Sequence, residues 1–244
     1  MIDFDSWNEY YTNKSNIQKI VYECRYREVV IIRKLDDRKV TLRPLKLFKP
    51  EHFEFWYERL ALSKTLFDIY ISNASVKIPF PIPGDLTKLK EARERLNENF
   101  IDWVTGYDIF ADIDIEEEKQ RDDAETMAQE ITHILGQQYS HVELWDTSRG
   151  YHVIVKGRFS PDFVRDLIMD ICLENDIPMS VPMKTINDVR YVARNHKWVK
   201  MKPNEDTPAN PKPHADVGIY DCRRIRRVGF SLHSKTGKPM VRIL

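Results

Sequence analysis

Asp112 and Asp114, in the run FADIDIE, are the first residues whose types and spacing could do chemistry. On a β-strand successive side chains alternate faces, so these two carboxylates share one side while Ile113 and Ile115 pack to the other. Two ionised acids in one space repel, which raises a pKa or invites a cation. Mg²⁺ or Mn²⁺, hard ions that take oxygen ligands, would turn that repulsion into coordination. A solvated strand end, followed by Glu116 to Glu118 at a helix N-terminus, explains the same pair with no ligand at all.

A second grouping, WDTSRGYHV, lies between two apolar segments and presents Ser148 and Arg149, with Gly150 free to adopt a left-handed conformation. Arginine offers a forked, charge-assisted contact to phosphate oxygens, Ser148 a neutral donor, and His152 a donor whose charge can respond to a ligand. His152 also reads as an ordinary buried strand residue. The third grouping, HADVGIYDCRRIRRVGFSLHSKTGKP, contains Asp216, four arginines including Arg227, and a polar loop with His233 and Lys235. Its arginines could equally form a solvated face, and its loop an ordinary hairpin turn. The order of the three groupings suits a metal site beside a triphosphate site.

The elements that must position these residues follow from periodicity. An amphipathic helix is expected near 2–12, then a hairpin of REVVIIR (27–33) and RKVTLRP (38–44) turning at Asp36 and Asp37. Residues 51–63 and 85–103 have helical spacing, with Phe53, Trp56, Tyr57 and Leu60 on one stripe of the first. FDIYIS (67–72) reads as a strand, and Pro79, Pro81 and Pro83 mark a soft boundary. Thereafter come a strand YDIFADIDI, a helix at about 121–136, and strands HVELWD and YHVIV. A helix opens at Ser160 and Pro161 with Phe163, Leu167 and Ile171 in one row. Residues 176–215 are expected to be irregular.

Composition sets the outer limits. The chain has 244 residues, 42% of them hydrophobic, enough for one large domain or two fused lobes. Charges cancel at 38 basic against 38 acidic, but not locally. Residues 112–125 hold eight acids and two bases (8 − 2 = 6 net negative), whereas residues 219–244 hold seven bases and one acid (7 − 1 = 6 net positive). Cys24, Cys172 and Cys222 are scattered and odd in number, with no CxxC pair, which argues against a disulfide framework or a zinc knuckle and for a reducing setting. Neither a signal segment nor an apolar run of ~20 residues is present, so the expectation is a soluble, cytoplasmic protein without membrane association.

Taken together, the groupings resemble the motifs of the archaeo-eukaryotic primase superfamily, in particular the small catalytic subunit of archaeal primase and plasmid-type primase-polymerases. FADID is similar to that family's hydrophobic-D-x-D, and RGYH (149–152) to the end of its SGxRGxH. RRIRRVGFSLHSKTG is similar to its RLIRxPxSLHxKTG, the most specific of the three, and RYREVV and IYISNASV are weaker echoes. The resemblance spans roughly residues 10–244 and is strongest after 107. It implies an α/β primase-polymerase fold, an N-terminal α/β lobe (1–105) packed on an RRM-like lobe (106–244) that carries the acids, without a zinc knuckle.

The resemblance further implies that Asp112, Asp114 and Asp216 bind two Mg²⁺ or Mn²⁺ ions, and that Arg149, His152, Arg227 and His233 contact the phosphates of an incoming nucleoside triphosphate. Ser148 and Lys235 complete the nucleotide-binding set. The implied activity is primer synthesis on single-stranded DNA by two-metal phosphoryl transfer, with a primase large subunit or a replicative helicase as partner classes. Primer-dependent gap filling and a non-catalytic nucleic-acid-binding subunit are the alternatives on the same fold. Three departures stand out: the motif-two serine falls on Asp146, the proline before SLH is Gly229, and the Asp216 to His233 spacing is one residue short.

Overall fold

The computed structural model describes residues 2–35, 38–77, 86–180, 183–186, 189–194, 197–202, 213–217 and 224–244. The expected turn at Asp36 and Asp37, the cluster Pro79, Pro81 and Pro83, and Cys222 lie outside these residues. The fold is mixed α/β and includes a sheet curled into a half-barrel.

The first helix, α1 (Phe4–Thr12), is capped by Asp3, whose side chain accepts from Ser6 N–H. It stops at Asn13 because that side chain accepts from the N–H groups of Ser15 and Asn16 and so starts α2 (Lys14–Glu23), a helix the periodicity did not reveal. The expected hairpin follows as β1 (Val29–Leu35) and β2 (Arg38–Leu45), paired antiparallel. Next come α3 (Pro50–Ala61), which buries the expected stripe of Phe53, Trp56, Tyr57 and Leu60, then β3 (Phe67–Ser72) and β4 (Ala74–Val76). Helix α4 (Leu86–Trp103) kinks at Asn99 and leads into β5 (Val104–Asp114).

Beyond β5 the chain forms α5 (Arg121–Gly136), β6 (Glu143–Asp146) and β7 (Gly150–Phe159). Helix α6 (Pro161–Glu174) starts where Ser160 accepts from Phe163 N–H. Of the expected row on α6, Ile171 is buried and Leu167 packs against the same core, and only Phe163 departs from it. Val164, Ile168, Ile171 and Cys172 are buried, whereas Phe163 is 44% exposed and stacks on Phe159. The stretch expected to be irregular instead holds an antiparallel sheet of β8 (Met183–Ile186), β9 (Val189–Arg194) and β10 (Lys197–Lys200), followed by β11 (His214–Ala215). VRYVAR and KWVK mix apolar with basic residues, a half-exposed strand pattern that the neighbouring Pro and Asn residues obscured. The last strands are β12 (Ile225–Arg227) and β13 (Val241–Arg242).

Two larger sheets organise the molecule. One runs β12-β3-β1-β2 and packs under α1, α2 and α3. The other runs β11-β5-β7-β6-β13, with β4 also paired to β5. On β5 the odd residues Ile109, Ala111 and Ile113 pack with Ala128, Ile131, Val164 and Ile168 of α5 and α6. The even residues face the other way, toward the first sheet, where Phe110, Trp145, Ile154 and Met240 form a small core. The halves exchange segments: β4 joins the second sheet, while β12, Val228 and Leu232 join the first.

Candidate active site

Alternation on β5 puts Asp112 and Asp114 on its non-helical face, as the spacing required. Pairing then supplies their neighbours. Antiparallel register sets His152 of β7 opposite Asp112 and Gly150 opposite Asp114. On the other flank β11 pairs His214 with Asp114, and Asp216 N–H donates to Asp112 C=O at 2.8 Å. A row Asp216, Asp112, His152 therefore crosses three strands, with Asp114 one step along. The close approach at Gly150 has a steric basis, since a Cβ there would collide with the carbonyl oxygen of Ile113.

The acids influence one another. Asp114 is driven up to about 7, first by surrounding protein and then by Asp112, with Asp216 adding and Arg149 and Arg224 opposing. Its carboxylate lies on an accessible rim, reachable by water yet crowded enough to disfavour ionisation. Asp112 Oδ1 lies 3.3 Å from His152 Nε2. Asp216 accepts from Ser180 Oγ–H at 3.1 Å and pairs with Arg224 at 3.2 Å. Among the described residues no three His, Cys, Asp or Glu side chains are gathered closely enough to hold an ion alone. The donor chemistry nonetheless suits a hard divalent cation: the groups are oxygen-only carboxylates, and one of them is penalised for its charge.

The two loops beside the acids are tied together. Asp146 accepts from Ser148 N–H and stands 3.6 Å from Arg121, closing a turn that holds Ser148 at φ +64°. Ser148 and Thr236 share a hydroxyl hydrogen bond at 2.8 Å, joining this turn to the 230–240 hairpin. Asp68 of β3 fastens the same hairpin by accepting from Ser234 N–H at 2.8 Å and Ser234 Oγ–H at 2.6 Å. From α1, Tyr10 donates to Phe230 C=O at 2.6 Å, and Tyr11 Oη accepts from Leu232 N–H at 3.0 Å.

The expected phosphate-binding residues divide into two groups. Arg149 is exposed, makes no side-chain hydrogen bond among the described residues, and acts electrostatically on Asp114 and His233. His233 is partly buried, and burial followed by Arg227 pushes its pKa down. Its Nδ1 accepts from Lys235 N–H at 3.0 Å, which leaves Nε2 as the donor of the neutral ring. Lys235 itself is exposed at the hairpin tip. Arg227, by contrast, is 4% exposed, donating to Thr147 C=O at 2.7 Å and Ser231 C=O at 3.1 Å. His152 is buried against Asp112 with its ring edge on Phe110. These two expected phosphate contacts are buried, because register makes His152 a partner of Asp112 and the loop carbonyls need Arg227.

Sequence reasoning passed over Arg224, Asp68 and Tyr70. Arg224 pairs with Asp216, and within RRIRR nothing local distinguishes it from its neighbours. Asp68 and Tyr70 alternate with the buried Ile69 and Ile71 in FDIYIS, a pattern that marks a polar face. Burial pushes the Tyr70 phenol up to about 12, and Asp68, Arg227, Asp114 and Arg149 all act on it. Gly229, where the resembled motif has proline, abuts Trp145, whose Cη2 would be 2.6 Å from a Cβ there.

No protein-family model matches the chain, and no curated protein matches it.

Proposed function

We propose that this chain is a template-directed nucleotidyltransferase with a primase-polymerase fold, extending strands on single-stranded DNA from nucleoside triphosphates. The observation that carries this reading is the juxtaposition of Asp112, Asp114 and Asp216 on neighbouring strands with the exposed Arg149 and the neutral His233 beside them. Asp112, Asp114 and Asp216 would hold Mg²⁺ or Mn²⁺, which when bound lowers the pKa of an attacking 3′-hydroxyl and neutralises the departing pyrophosphate. Arg149 would grip triphosphate oxygens through its fork, and His233 would donate Nε2–H to another. Arg227 and Asp146 act on the loops, not the substrate: they hold Thr147, Ser148 and the hairpin in register so that Arg149 and His233 face one space. Positioning and charge stabilisation of this kind supply most of the rate in phosphoryl transfer.

The deciding experiment is nucleotide incorporation on a single-stranded template with Mg²⁺ or Mn²⁺, with and without a primer. Product without a primer supports a primase; product only from a recessed 3′ end supports a repair polymerase. Asp112→Ala with Asp114→Ala should abolish either activity while leaving the circular dichroism spectrum unchanged. Incorporation that survives this double change would overturn the site assignment.

A further inference from the structure

At the other end of the β5 and β7 pair a cavity of about 220 Å³ opens. Arg25, Arg27, Lys156 and Arg226 line it, together with Tyr22 and Tyr26. Its base is a pair of guanidinium groups sharing one carboxylate, Arg27 at 2.6 Å and Arg226 at 3.0 Å from Asp108. One acid cannot neutralise two cations. Glu23, which also borders the cavity, is engaged by Lys156 at 3.1 Å, and Lys156 pairs with Glu143 at 3.1 Å as well, so neither acid offsets the second guanidinium. The Arg226 side chain is 1% exposed, and its Nε–H has no hydrogen-bond partner among the described residues. A buried donor without an acceptor is costly, and an anionic oxygen in the cavity would relieve both the missing bond and the excess charge.

The mouth of the cavity carries the second half of the argument. Tyr22 and Tyr26 are 62% and 70% exposed, far beyond what an aromatic ring ordinarily presents to water. Tyr26 sits at φ +60°, a left-handed conformation that is uncommon for a bulky side chain. Arg25 makes no ion pair among the described residues, and its guanidinium lies 5.4 Å from the Tyr22 ring centroid. Lys156 Nζ lies 6.0 Å from the same ring. Largely exposed rings beside cations, Tyr26 also in a T-shaped contact with Phe48 at 6.1 Å, above an anion-seeking pocket, match the chemistry of unpaired nucleic acid. Bases stack on the rings and phosphates follow the cations. Asp108 precedes Asp112 by four residues, about 13 Å along one strand, or roughly four stacked bases at ~3.4 Å each.

We propose that Tyr22, Tyr26, Arg25 and the cavity beneath them bind single-stranded nucleic acid, with bases stacked on the tyrosines and a backbone phosphate directed toward Arg226. Only the role of that strand as a template rests on the nucleotidyltransferase reading. The test is fluorescence anisotropy of a labelled oligothymidylate with the full chain, in chelator and without nucleotides. Tyr22→Ala with Tyr26→Ala should weaken binding by about tenfold or more, and Tyr22→Phe with Tyr26→Phe should restore it, since stacking needs the ring and not the hydroxyl. Arg25→Ala should reduce the slope of log K against log salt by about 0.7. An abasic strand of equal length should bind as weakly as the alanine variant.

Absence of binding by the wild type, alanine variants that bind like the wild type, or an abasic strand that binds as tightly as the oligothymidylate would each overturn the proposal. The last result would point to an acidic macromolecule held by charge alone. Melting curves of each variant separate lost binding from lost fold. Asp112→Ala with Asp114→Ala should leave oligonucleotide affinity unchanged. Tyrosine-dependent binding in a wild type that incorporates no nucleotide would defeat the nucleotidyltransferase reading and leave this surface standing. Incorporation with tyrosine-independent binding would do the reverse.

Discussion

Arg149 and Arg227 carry the same side chain into opposite circumstances. Arg227 is buried with its N–H groups on Thr147 and Ser231 carbonyls, so Arg227→Ala should cost about 1.5–3 kcal/mol of stability in urea unfolding. Arg149 is exposed and donates no side-chain hydrogen bond among the described residues; Arg149→Ala should leave the unfolding midpoint alone and raise KM for the nucleotide. Asp114 gives a second test, through pH. Its carboxyl is raised from 3.8 to about 7, so the folded state holds a proton that the unfolded state has released. Between about pH 4 and 7 stability therefore falls as pH rises. In chelator, the melting midpoint should decline over that window, the decline should shrink in Asp114→Asn, and Mg²⁺ should raise the midpoint of the wild type more than that of the variant.

At the scale of elements, the site depends on how β5, β7 and the hairpin approach one another. Gly229 is one contact where this can be probed. A Cβ would come within 2.6 Å of Trp145, so Gly229→Ala should destabilise by about 1–3 kcal/mol, with Trp145→Phe relieving part of that cost in a double-mutant cycle. Independent energies would show that the ring does not dictate the glycine. Asp146 illustrates why an element must be seen in place. By residue type it is an acid beside an expected phosphate pocket. In the folded turn its carboxylate is committed to Ser148 N–H and the Arg121 charge, which removes the conflict.

For the whole molecule, the Arg27, Asp108 and Arg226 cluster is the joint between the two sheets. Arg27 precedes β1, Asp108 lies on β5, and Arg226 lies on β12. Burial pulls the Arg27 pKa down and Asp108 opposes it, the signature of a charge kept inside by its partner. Asp108→Asn should cost about 3–5 kcal/mol, because two buried guanidinium groups lose their counter-charge. Guanidinium chloride unfolding followed by tryptophan fluorescence checks this, since Trp7 and Trp56 report on the first core and Trp145 on the small core between the sheets.

The strand alternation of FADIDIE, the cap at Ser160, the apolar stripe of α3 and the apolar runs of β5 and β7 were legible in the sequence, because each rests on contacts a few residues apart. The acid pair and the two polar loops were legible too, through residue type and spacing. Contacts across long chain separations decided the rest. Register turned His152 toward Asp112, and the need to satisfy buried carbonyls drew Arg227 under the loops while Arg224 went to Asp216. The three-stranded sheet of 183–200 was hidden by short, charged strands. The tyrosine-rimmed cavity exists only because α2, β7 and β12 meet around Asp108. Side-chain environment is a property of neighbours, and those neighbours are set by the fold.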